Sequence, residues 1–229
     1  MGDTTPATLN HFSLIRFKGG FWDLDAPDRN RTGNELVEAL RSNATATHVY
    51  QVFPTEPHAD LLIWSAGEAV DKDSGTRFFR SLQRSLNPHR KWVEFPDILW
   101  GLTKPSQYTK VRSTQEIDPF DARRSPYLIV YPFVKTVDWY LLPREDRQTM
   151  MNEHIQVGKQ YKDITQLLLY SFGLQDQEFV VVYETDDLVR FSNLVHELRA
   201  TKGRKYTERD SPLHAACFIE ESELKDFWS

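Results

Sequence analysis

The chain has 229 residues, of which 40% are hydrophobic and 27% charged, with a formal net charge of −5. That balance fits a soluble globular protein of one large domain or two of roughly 110 residues each. It argues against nucleic acid as a partner, since no basic stripe exists to release counterions, and no apolar run approaches the ~20 residues that a membrane span needs.

In chain order, residues 9 to 19, LNHFSLIRFKG, alternate β-formers and predict a strand. Turn residues follow, and then helical spacing through Leu36 and Leu40. HVYQVFPTEP and ADLLIWSAG are expected as two strands. AVDKDSGTRFFRSLQRSLNP has Phe78, Phe79, Leu82 and Leu86 on one side of a helix that Pro88 stops. KWVEFPDILWGLT then reads as a strand. Lys104 to Ser125 has little apolar periodicity, and at about twenty residues it is long for a passive linker, so a cover over a site is the other reading.

The second half repeats the order. PYLIVYPFVKT is expected as a strand, PREDRQTMMNEHIQVGKQY as a helix opened by Pro143 with acidic residues close behind. TQLLLYSFG and EFVVVYETD follow as strands, DLVRFSNLVHELRAT as a helix and PLHAACFIEE as a last strand. Both halves therefore read β-α-β-β-α-β, an α+β fold of two ferredoxin-like units. The expected boundaries are an N-terminal domain over 1–110, a linker over 111–125 and a C-terminal domain over 126–229.

The single Cys217 sits in the apolar run LHAACFIE, excludes an internal disulfide and suits a reducing cytoplasm. The opening MGDTTPATLNHF lacks the basic-then-apolar pattern of a secretory signal, so a cytoplasmic location is expected. Seven histidines show no HExxH or zinc-finger spacing. His58 and His89 are expected in exposed turns, and the short run GRKYTER as a solvated turn. His154 differs, because it falls on one helix face with Met150, Met151, Val157, Gly158 and Tyr161 and should point inward. An inward imidazole is either a hydrogen-bonded core residue or a ligand. On the preceding strand Tyr131, Lys135 and Trp139 lie four apart and share a face if the strand extends that far. The lysine there either pairs with an anion or reaches out to water.

The stretch YPFVKTVDWYLLPREDRQTMMNEHIQVGKQY, followed by ITQLLLYSFGLQDQEFVVVYETDDL, resembles the chlorite dismutase-like haem protein superfamily, and within it the coproheme decarboxylases of haem biosynthesis. The resemblance implies a dimeric α+β barrel of two ferredoxin-like domains, assembled as a homopentamer. It implies an iron porphyrin, haem b or Fe-coproporphyrin III (coproheme), with His154 as the axial iron ligand and Glu208, or its rival Asp210, as the acceptor that orients the imidazole. It implies that Tyr131 is oxidised to a radical and takes a hydrogen atom from a propionate, with hydrogen peroxide as co-substrate. Lys135 would then pair with a propionate, and Trp139 would line the pocket. Gln166 matches the position where true chlorite dismutases carry arginine, and an amide offers no permanent charge to an oxyanion, which favours decarboxylation over chlorite chemistry. A non-catalytic haem-binding protein is the third reading. The family's propionate-binding arginine before the Tyr131 strand has no clear counterpart here: either Arg112 is that residue, displaced by a gap, or the contact is absent.

Overall fold

The computed structural model describes residues 7–109, 113–224 and 227–228. Arg112 lies outside the described residues. The chain divides into two compact units. The first runs to Thr103 and takes in Pro119–Arg123 and the chain from Ala216; the second holds Lys104–Asp118 and Arg124–Ala215. The stretch expected as a linker is thus shared between them, and the last residues belong with the first unit.

In the first unit β1 (Ala7–Phe17) is the central strand. It is followed by a short helix α1 (Gly19–Trp22), the long helix α2 (Ala26–Arg41), β2 (Ala46–Gln51), β3 (Leu61–Ala69) and α3 (Ser74–Leu86). The expected strand over KWVEFPDILWGLT is broken at Pro96 into β4 (Val93–Glu94) and β5 (Ile98–Leu102). Proline has no N–H for a ladder, so pairing stops there. β1 pairs antiparallel with β3, β4 and β5, β2 lies on the outer edge of β3, and the end of β10 (His214–Phe218) joins β2 through Cys217 and Phe218.

Helix α2 starts where the Asp25 carboxylate accepts the Asp28 backbone N–H at 2.9 Å, with Pro27 in the first turn. It buries Leu36, Val37 and Leu40 against Leu9, Ile15, Phe17 and Phe21. Trp228, fully buried, fills the space that a side chain at Gly33 would occupy. This explains why the chain terminus belongs here. His89, expected in an exposed turn, is instead buried in the 3-10 turn Asn87–His89, which rolls the ring inward after α3.

In the second unit the sheet order is β7-β8-β6-β9, from β6 (Tyr127–Lys135), β7 (Thr165–Tyr170), β8 (Phe179–Thr185) and β9 (Thr207–Arg209). Residues opposite one another across an antiparallel ladder point to the same side. The registers therefore set three rows on one face: Ile129–Tyr183–Gln166, Tyr131–Val181–Leu168 and Phe133–Phe179–Tyr170. The other face carries Leu128, Val130, Val180, Val182, Leu167 and Leu169, all buried. It also holds an ion pair, Arg124 to Glu184 at 3.4 Å, with both side chains almost fully buried.

Three helices follow the strands of this unit: α4 (Val137–Leu141), α5 (Arg144–Gly158) and α6 (Leu188–Arg199). Asp187 caps α6 by accepting from the N–H groups of Val189 and Arg190. Phe191 and Leu194 of α6 pack on Ile129 and Tyr183. Helix α5 packs differently. It packs mainly on α6 and the 3-10 turn Lys202–Tyr206, Val157 reaches the cluster of Ile129 and Tyr183, and none of its residues is buried. The face expected to be core is only half covered.

Candidate functional site

The site is built around that half-covered face. Tyr131 of β6 and Val157 of α5 both pack on the cluster formed by Ile129, Tyr161, Tyr183 and Phe191, and His154, one turn before Val157, lies near enough to Lys135 to feel its charge. His154 keeps some solvent-accessible area but is set deep, so burial pulls its pKa down to about 4, helped by the charge of nearby Lys135. The imidazole is thus neutral near pH 7, the form in which a ring nitrogen can ligate a metal. Neither nitrogen has a hydrogen-bond partner among the described residues.

Lys135 ends β6. Its ammonium lies 4.4 Å over the Trp139 ring and 5.2 Å over the Phe133 ring, and donates weakly to the Gly203 carbonyl at 3.3 Å. Burial, then the Arg204 guanidinium, bring its pKa down to about 8, with Glu178 opposing. No carboxylate pairs with its Nζ among the described residues. Glu178 instead accepts from the Lys135 backbone N–H at 2.8 Å and from the Tyr140 hydroxyl at 2.5 Å. Arg204 was not anticipated. It lies in the stretch expected as a solvated turn, but that 3-10 turn packs against α4 and α5, and Arg204 is half-buried and bonded to Asp210 at 2.8 Å.

Tyr131 faces the same side. Burial, then the neighbouring Tyr183 phenol and the Asp210 carboxylate, hold its hydroxyl protonated well above the usual phenol range. The two tyrosine rings stack with centroids 6.5 Å apart. Trp139 does not extend the strand as expected. β6 ends at Lys135, where its pairing with β9 ends, and Trp139 sits on α4, buried between Tyr206 and Tyr108. The fold still brings it to Lys135.

Gln166 lies on the helix-facing side of β7, exposed, with no hydrogen bond to its side chain among the described residues. Its backbone is engaged instead: its N–H donates to the Gln115 carbonyl at 2.8 Å, and its carbonyl accepts from Ile117 at 3.0 Å. Residues 115–117 therefore border β7. Glu208 is not brought to His154. Alternation along β9 turns it away from the side of Thr207, the partner of Lys135, and it is exposed. Asp210 is held by Arg204 and Arg199.

Among the described residues the arrangement combines a neutral, unpartnered imidazole, a desolvated ammonium without a carboxylate, and a protected phenol beside a helix with no fully buried residue. These donors fit an iron porphyrin: imidazole for the metal, ammonium for a carboxylate arm.

The family model described as chlorite dismutase matches residues 29–218, and the chain belongs to this family. It is 31% identical over 172 residues to a coproheme decarboxylase of Mycolicibacterium smegmatis, covering 72% of this chain and 69% of that protein. It is 30% identical over 173 residues to a coproheme decarboxylase of Staphylococcus saprophyticus, covering 71% and 69%. A mutant chlorite dismutase from Candidatus Nitrospira defluvii shares the fold with a TM-score of 0.81 at 23% identity, over 99% of this chain and 97% of that one. No helix among the described residues is long and apolar enough to cross a membrane.

Proposed function

We propose that the protein is a coproheme decarboxylase, which uses hydrogen peroxide to convert two propionates of Fe-coproporphyrin III to vinyl groups and yields haem b. The observation that carries this reading is His154, neutral and without a partner among the described residues on a half-covered helix, with Lys135 nearby. For each propionate, one peroxide is reduced to two waters while the arm loses carbon dioxide and two hydrogens. Bound coproheme, as substrate, supplies the redox chemistry; the protein supplies ligation, orientation and a hydrogen-atom acceptor.

In this reading His154 holds the iron through its neutral ring. Lys135 fixes a propionate carboxylate by a charge-assisted hydrogen bond, which its desolvation strengthens. The Tyr131 hydroxyl stays protonated until the residue is oxidised. It then gives up its electron and proton together and recovers a hydrogen atom from the propionate arm. Gln166 places an uncharged amide where chlorite chemistry uses a cation, so the same fold serves a different reaction. A homopentamer in the cytoplasm completes the reading.

Mixing the purified protein with coproheme and titrating peroxide tests it. A porphyrin lacking two carboxyl groups should appear by mass spectrometry, and its absence despite tight binding would leave only a haem-binding protein. His154→Ala should abolish the Soret shift on binding. Tyr131→Phe should bind coproheme normally and lose at least ~100-fold in turnover, on the order of what removal of a group acting directly in the chemistry costs.

A further inference from the structure

A recess of about 360 Å³ lies between α4, the first turn of α5, the end of β7 and the segment after Thr103, walled by Lys104, Gln107, Tyr140, Arg147, Tyr170 and Phe172. Its chemistry is lopsided. Two cations face it, and no acid lines it. The Arg147 Nε is fully buried and has no hydrogen-bond partner among the described residues. A buried guanidinium N–H without an acceptor is costly, and such groups normally have one. The neighbouring acids do not serve. Glu145 and Asp146 precede Arg147 by two and one positions and so lie on other sides of the helix. Glu178 is occupied by the Lys135 N–H and the Tyr140 hydroxyl. The remaining walls are aromatic. Phe172 meets Tyr140 edge-on at 6.1 Å, and the Lys104 ammonium lies 5.7 Å over the Tyr170 ring.

We propose that this recess is a second carboxylate clamp, in which Arg147, assisted by Lys104, receives a carboxylate arm of the porphyrin while Tyr140, Tyr170 and Phe172 take the adjoining ring edge. The inference rests on the porphyrin reading above. Spacing supports it. Arg147 and His154 are seven residues apart, so they share a face of α5 and stand about 10.5 Å apart along its axis, at 1.5 Å per residue. That is comparable to the reach from a porphyrin's centre to its edge carboxylates. The volume is at the small end for ligand pockets, suited to an arm and a ring edge rather than a whole macrocycle. Guanidinium and carboxylate match in a planar, two-point hydrogen bond, which accounts for arginine rather than lysine at the buried position.

The test measures affinity, not turnover. Coproheme and its tetramethyl ester, whose arms carry no charge, are titrated by absorbance into wild type, Arg147→Gln, Arg147→Lys and Lys104→Gln. Arg147→Gln should weaken coproheme binding about 10- to 100-fold, the size expected for a hydrogen bond to a charged group. It should leave the Soret position unchanged, because His154 still ligates, and bind the ester like wild type. Arg147→Lys should recover part of the loss, and Lys104→Gln should show a smaller one. Unchanged coproheme affinity in Arg147→Gln overturns the proposal, as does equal weakening for coproheme and ester, which would make Arg147 a packing residue only. If wild type itself shows no Soret shift that depends on His154, the porphyrin reading fails first, and the two failures are told apart.

Discussion

An ammonium buried beside a guanidinium holds its proton less firmly, and Lys135 is in that position, with its pKa brought down to about 8 by burial first and Arg204 second. Two consequences have opposite readouts. In the ligand-free fold the lysine is deprotonated above pH 8 while the unfolded chain keeps its proton to about 10.5, so the folded state gains stability across that window. For a carboxylate ligand only the charged form binds well. Coproheme affinity should therefore be level below pH 8 and decline above it, whereas Lys135→Gln should bind more weakly at neutral pH and lack the decline. Absorbance titrations at a series of pH values check both. A decline that persists in Lys135→Gln would assign it to another group. The sequence marked Lys135 through its place on a strand face, but Arg204 stayed hidden, because GRKY reads as a solvated turn until α4 and α5 are seen to pack on it.

At the scale of elements, one side chain adds to the backbone bonds that join residues 115–117 to β7. The Gln115 amide donates to the carbonyls of Tyr161 and Ile164, at 2.8 and 2.9 Å, and so ties the segment to the turn between α5 and β7. Gln115→Ala removes both bonds at once. At about 1 kcal/mol each, the loss should be on the order of 2 kcal/mol, felt mainly as local release. Limited proteolysis should then cut within residues 104–118 faster than in wild type, with the β6–β8 sheet still protected; unchanged cutting would show that the side chain is not the tie. The helices and most strands of both units were legible from apolar spacing and punctuation by proline. Trp139 was not, since even spacing from Lys135 looks like a strand face until the β9 pairing ends at Lys135 and frees the chain to coil into α4. The same holds for α5. Its periodicity names an apolar face, but that face is only half covered, and periodicity cannot say how completely a face is covered.

At the scale of the molecule, the end of the chain returns to its beginning. Trp228 packs on Phe17 and Phe21, donates its indole N–H to Asn34 at 3.0 Å and occupies the position of a Gly33 side chain. Helix propensity alone would make alanine the better residue there by about 0.8–1 kcal/mol. The clash should win, because the ring is held on both sides and overpacking a filled core costs about 1–3 kcal/mol. Gly33→Ala should lower the unfolding midpoint in urea at constant slope, and a stabilised variant would mean that the indole moves aside freely. A glycine inside a helix reads as a weak spot; nothing in the sequence says that a tryptophan 195 positions later needs the gap.

The way α5 is held bears on how any affinity for this protein is read. A helix with no buried residue, supported by α6 and one 3-10 turn, belongs to the low end of the molecule's opening free energies. A ligand joined to His154 on one side and to Lys135 on the other would tie helix to sheet and shift that local equilibrium toward the closed form. The observed binding constant is then the product of an intrinsic constant and the fraction of molecules with α5 in place. Substitutions on the outer surface of α5, remote from every contact with the ligand, would tune affinity by changing that fraction alone.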